Sequence, residues 1–136
     1  MNTLGLTASL TAFFSVWLGH MGIRKIEFIS PTIWIPTTIF ATVGLLVEFL
    51  SLSMVNRAWS VALGILGITL LFDALEFTRQ QNRIKKGHAP ANPNNPRHVL
   101  FLADSDLQAT TLDLLKRDPM GTPVNAAQCI KLMTED

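Results

Sequence analysis

Of the ionisable side chains in or beside the long apolar runs of this 136-residue chain, six could do chemistry: His20, Lys25, Glu27, Glu48, Asp73 and Glu76. An ionised group in apolar surroundings is costly. Each must hold a proton, pair with an opposite charge or meet a polar ligand. His20, Lys25, Glu27, Asp73 and Glu76 fall at the same predicted end of the runs that carry them and are read as one polar cluster. Such a cluster suits a proton, a quinone head group or an anionic lipid head group. Its structural alternative is an ion-pair network locking the first loop to the third helix. Glu48 is isolated and deeper. It pairs with Arg57 across a hairpin, contacts a partner helix or carries a proton.

Other chemistries are excluded or unsupported by residue type. A single cysteine rules out an internal disulfide and any Cys-rich zinc or iron–sulfur site. His20 is the one histidine in the apolar runs, so a bis-histidine haem within this chain is excluded; a ligand shared with another subunit stays open. His88 and His98 have no ligand spacing. Asp104-Ser105-Asp106 starts like a calcium loop, but neither the glycine nor the terminal glutamate follows. Cys129 reads as a packed apolar residue. No GxGxxG, Walker, GxSxG, HExxH or CxxC pattern occurs. The chain is expected to be no enzyme, to have no metal and no cofactor of its own, and to contact a lipid or quinone at most.

The elements that must position these residues follow from the charge distribution. Only 15% of residues are charged, against roughly 25% in soluble domains, and mean hydropathy is +0.33. Residues 1–78 hold just seven charges: Arg24, Lys25, Glu27, Glu48, Arg57, Asp73 and Glu76. Three apolar runs result, about Thr3–Gly22, Pro31–Val55 and Ala58–Phe77, each long enough as a helix to cross a bilayer core of about 30 Å. The leader MNTLGL lacks Lys and Arg, so the first run is expected to be a retained span rather than a signal peptide. Ser30-Pro31 predicts the cap and first position of the second helix, and Pro36 predicts a kink within it. Asn56 marks a short turn, so spans two and three form a tight antiparallel hairpin, with Trp34 and Trp59 near opposite interfaces.

Arg24 and Lys25 lie on the same side as Arg79, Arg83, Lys85 and Lys86, while the opposite side has only Arg57. The positive-inside rule therefore sets the N-terminus outside and the C-terminus in the cytoplasm. Net charge is only +1, which gives no call for nucleic acid.

The expected fold is all-α: a three-span transmembrane domain (1–78), a basic helix end and Pro/Asn linker (79–98), and a cytoplasmic helical tail (99–136). Residues 87–97, GHAPANPNNPR, predict an extended linker. Asp104 or Ser105 predicts the cap of a short helix to about Arg117, and Thr122-Pro123 opens another to about Met133. Two such helices cannot fold alone and are expected to dock on a cytoplasmic surface. Small residues, Gly5, Ser9, Ala12 and Gly19 in the first span and Ser60, Gly64 and Gly67 in the third, form stripes that let helices approach closely.

Two segments carry a resemblance. His20, Lys25, Glu27 and Phe28 stand at the spacing H-x4-K-x-E-[YF], and Glu76, Gln80, Arg83, Lys86, Gly87, Pro90, Asn92 and Pro93 at the spacing E-x3-Q-x2-R-x2-K-G-x2-P-x-N-P. With Leu63-Gly64-Ile65-Leu66-Gly67, this resembles a family of small three-span bacterial membrane proteins of the domain of unknown function 4491 type, over about residues 3–97. The chain departs from it at Met21, Asp73 and His88-Ala89. The resemblance implies three spans and supports the polar cluster, but no activity.

From these features the expected role is a non-catalytic accessory subunit of a larger inner-membrane complex, energy-converting or redox, whose partners are other membrane subunits and the lipid bilayer. The alternatives are a small oligomeric transporter or proton-conducting protein, and a membrane anchor for a soluble partner.

Overall fold

The computed structural model describes residues 3–113 and is all-helical over them, with no strand. The helices are α1 (Leu4–Ile29), α2 (Trp34–Ser53), α3 (Arg57–Lys85) and α4 (Pro96–Ala103). The first three are long and apolar enough to cross a membrane. α3 packs along both α1 and α2. At 29 residues it is about 43 Å long, so it extends well beyond a bilayer core.

Asn56 caps α3: its Oδ1 accepts from the Ala58 and Trp59 amides at 2.9 and 3.4 Å. The α2–α3 connection is three residues long, and the expected hairpin forms. Its tip is fastened by two reciprocal bonds. Ser51 Oγ donates to the Ser60 carbonyl at 2.8 Å, and Ser60 Oγ donates to the Ser51 carbonyl at 3.0 Å. Small residues hold this pair close: a Cβ on Gly44 would meet Leu71 at 3.0 Å, and one on Gly64 would meet Ser51 Oγ at 3.2 Å. The third-span stripe is thus used inside the chain. In α1 only Gly19 serves a close approach, while Gly5 and Gly22 face open space.

Several helix ends differ from expectation. α1 does not stop at Gly22 but continues to Ile29, so Arg24, Lys25 and Glu27 are helical rather than in a loop. Ser30-Pro31 does not start α2; Ser30 Oγ donates to the Thr32 carbonyl, and α2 begins at Trp34. Pro36 then falls in the first turn, where an amide has no intrahelical acceptor, so it costs no helix bond and gives no reason for a kink.

The predicted linker is folded. Gly87, at φ +70°, ends α3 in a Schellman turn: its amide bonds Ile84 and the His88 amide bonds Arg83. Residues 104–111 return alongside, with the Gln108 amide on the Lys85 carbonyl and the Ala91 amide on the Thr110 carbonyl, at 2.9 and 2.8 Å. Asn95 caps α4 with Pro96 next to it, so the helix precedes Asp104 instead of following it. The helix expected from Ser105 is absent over 105–113, where Asp104 Oδ1 turns back to bond the Asp106 amide. The remainder of that helix, the one expected to Met133, and Cys129 lie outside the described residues. The described part of the tail packs on its own chain: Phe101 and Leu102 of α4 rest against Ile84, Ala89 and Ala91.

Candidate functional site

The expected cluster divides into two centres. The first is built on the end of α1. A helix C-terminus leaves its last carbonyls without amide partners, and here side chains from the Pro/Asn segment supply them. Asn92 Nδ2 donates to the Phe28 carbonyl at 3.0 Å; Asn95 Nδ2 donates to those of Phe28 and Ser30 at 3.1 and 2.9 Å. Arg97 Nη2 reaches the Glu27 carbonyl at 2.9 Å and Glu27 Oε1 at 2.8 Å, placing a cation at the negative end of the helix dipole. His98 is fully buried. Its Nδ1 accepts from the Asn92 amide at 2.9 Å, so the proton sits on Nε2, which donates to Glu27 Oε1 at 3.2 Å. Glu27 itself is 1% exposed. Its Oε2, with Arg97 Nε and Nη1, has no hydrogen-bond partner among the described residues.

The second centre lies in the seam between α1 and α3. Asp73 is 9% exposed, yet among the described residues it makes no hydrogen bond and no ion pair. Its carboxyl occupies the space that a side chain at position 19 would fill: a Cβ on Gly19 would sit 2.9 Å from Asp73 Cγ. On one side Asp73 lines a polar pocket of about 240 Å³ with Val16, His20, Phe72, Glu76 and Arg79. Glu76 is committed there, to Arg79 at 3.3 Å and Arg83 at 3.5 Å. On the other side Asp73 ends an open groove of about 520 Å³ whose walls include Leu10, Phe14, Leu18, Phe40, Trp59 and Leu66. From Trp59 to Asp73 the groove follows α3 for about 21 Å.

Lys25 is bonded to neither centre. It lines a surface pocket beside the first, with Met21, Arg24, Glu27, Phe28 and Gln80. Glu48 does not pair with Arg57; its side chain lies half-buried across Gly67, whose added Cβ would be 2.9 Å from Glu48 Cγ. Among the described residues, no three of His, Cys, Asp and Glu converge on a metal-sized site.

Arg97, His98 and Asn95 are the site residues that sequence reasoning misses. One signal is present in the chain. Asn95-Pro96 is a helix cap followed by proline at the first position, and it marks a fold where composition alone reads as linker. What Asn95 and Arg97 bind is 65 to 70 residues away, beyond any local pattern.

No curated protein and no solved structure matches the chain. A family match covers residues 2–95, more than half of its length, and ends on the capping Asn95. It takes in all three long helices, Glu27, and the Asp73 seam, and the chain therefore belongs to the family described as Domain of unknown function (DUF4491).

Proposed function

We propose that this membrane protein is a small, non-enzymatic carrier or proton-conducting protein of the bacterial inner membrane, working as an oligomer. One observation carries this reading: a single carboxyl, Asp73, lines both a groove open along the apolar helices and a polar pocket shared with His20, Glu76 and Arg79. A group reached from two sides can take up a proton or cation on one and release it on the other. Three helices are too few to enclose a path, so several copies would be needed. The basic residues at the shared end of α1 and α3, against Arg57 alone at the other, support a cytoplasmic C-terminus.

The test is proton uptake into proteoliposomes carrying a trapped pH dye. Asp73→Asn is expected to abolish uptake. Glu48→Gln is expected to leave it unchanged, because Glu48 lines neither cavity. Uptake by the Asp73→Asn protein at the normal rate would sink the reading.

The accessory-subunit reading keeps support from α1, where nothing lies within 4 Å of a Cβ built on Gly5. A small-residue surface of that kind admits a partner helix. Extraction of native membranes in mild detergent, sizing and mass spectrometry decide between the two: stable co-migration with larger membrane subunits favours the accessory role.

A further inference from the structure

We propose that the α1–α3 groove is a binding site for a lipophilic organic cation, with its ammonium or phosphonium centre at Asp73 and its apolar body lying toward Trp59. This rests on the carrier reading and names the class of its ligand. The cavity, at about 520 Å³, is of the size that holds small molecules, and its walls are almost wholly apolar. The exception in charge is Asp73, more than nine-tenths buried and without an ion pair among the described residues.

A carboxylate in such a place needs a proton or a cation. The other charges nearby do not meet that need. Glu76 is held by Arg79 and Arg83, and His20 lies in the polar pocket on the far side of Asp73. An anionic lipid head group would be repelled by the carboxylate, and a neutral chain would leave it unanswered. A cation with an apolar body satisfies both parts of the cavity. Phe14 and Phe40 add aromatic rings to the wall, and aromatic faces attract organic cations. Gly19 keeps the carboxyl reachable, because any side chain there would displace it.

The probe is tetraphenylphosphonium, titrated calorimetrically into the full-length protein in nanodiscs of neutral phosphatidylcholine. Saturable binding is expected, weakened about tenfold or more by Asp73→Asn. Ala62→Trp, which fills the groove without touching Asp73, is expected to weaken it also. Tetraphenylborate, of the same shape and opposite charge, is expected not to bind. Circular dichroism confirms that each variant is folded.

Absence of saturable binding to the wild type would overturn the proposal. So would equal binding by Asp73→Asn, or equal binding of the borate. The outcomes separate this inference from the reading it rests on. Asp73-dependent proton uptake without phosphonium binding removes the ligand class and keeps the carrier. Phosphonium binding without proton uptake keeps the site and removes the carrier.

Discussion

Glu27 and Asp73 are both buried carboxyls near the basic end of this molecule, and they are treated in opposite ways. Glu27 is enclosed by donors: an arginine and a histidine reach one oxygen at 2.8 and 3.2 Å, and two asparagines hold the helix end beneath it. Asp73 rests on a glycine between two cavities, one with apolar walls and one shared with His20, Glu76 and Arg79, and it bonds none of them. The first arrangement fixes a structure, since Asn92, Asn95 and Arg97 all donate to carbonyls at the end of α1. The second leaves a carboxyl without a hydrogen bond or ion pair among the described residues. Two buried acids thus differ in their partners, and that difference is what the proposed role of Asp73 rests on.

The largest expected effect breaks the first region. Arg97→Ala leaves Glu27 buried with a histidine alone and removes a donor from the end of α1. Losing one partner of a buried pair costs about 3–5 kcal/mol. Thermal unfolding in mild detergent should drop accordingly, and limited proteolysis should open residues 87–113 first. Resistance equal to wild type would mean that Arg97 does not hold the tail to α1.

Next comes Gly19→Ala. The new methyl would overlap the Asp73 carboxyl, and overpacking of this kind costs about 1–3 kcal/mol. The sharper measurement is the double variant Gly19→Ala/Asp73→Ala, which should recover most of the loss because the clashing group is gone. Additive losses would show that the carboxyl does not rest on Gly19.

The two regions also differ in how far the sequence reveals them. The spans and the α2–α3 hairpin are legible because hydropathy and the Asn56 cap are local signals. Asp73 and Glu76 are legible as suspects because charge is rare in an apolar run. The capping of α1 is not, because it joins Glu27 to Arg97 across 70 residues and uses side chains that in isolation signal turns. The expected helix from Ser105 fails for a related reason: its apolar spacing competes with the Asp104 turn and with pairing of Gln108 and Thr110 to the end of α3.

Gly87→Ala probes the joint between the two regions. The residue has φ +70°, where a side chain costs about 1–2 kcal/mol, and its Cβ would run into the Gln108 carbonyl. The expected result is a lower unfolding temperature with residues 104–113 released to protease. If the loss is much smaller, the returning segment is not fastened at Lys85. A control far from both regions is Ser51→Ala, which removes one of two reciprocal bonds at the other end and should cost about 1 kcal/mol, with the double variant Ser51→Ala/Ser60→Ala costing little more than twice that.

The smallest expected effect is the most informative about the comparison. Asp73→Asn replaces a carboxyl that makes no ion pair among the described residues by a neutral group of the same shape. Nothing is orphaned, and the burden of holding a charge in an apolar seam is lifted. Stability measured as for Arg97→Ala should stay within about 0.5 kcal/mol of wild type, or rise. A loss comparable to that of Arg97→Ala would mean that Asp73 has a structural partner and belongs with Glu27. An unchanged unfolding temperature combined with lost proton uptake would separate the two carboxyls by role: one holds the fold together, and the other is kept unpaired for use.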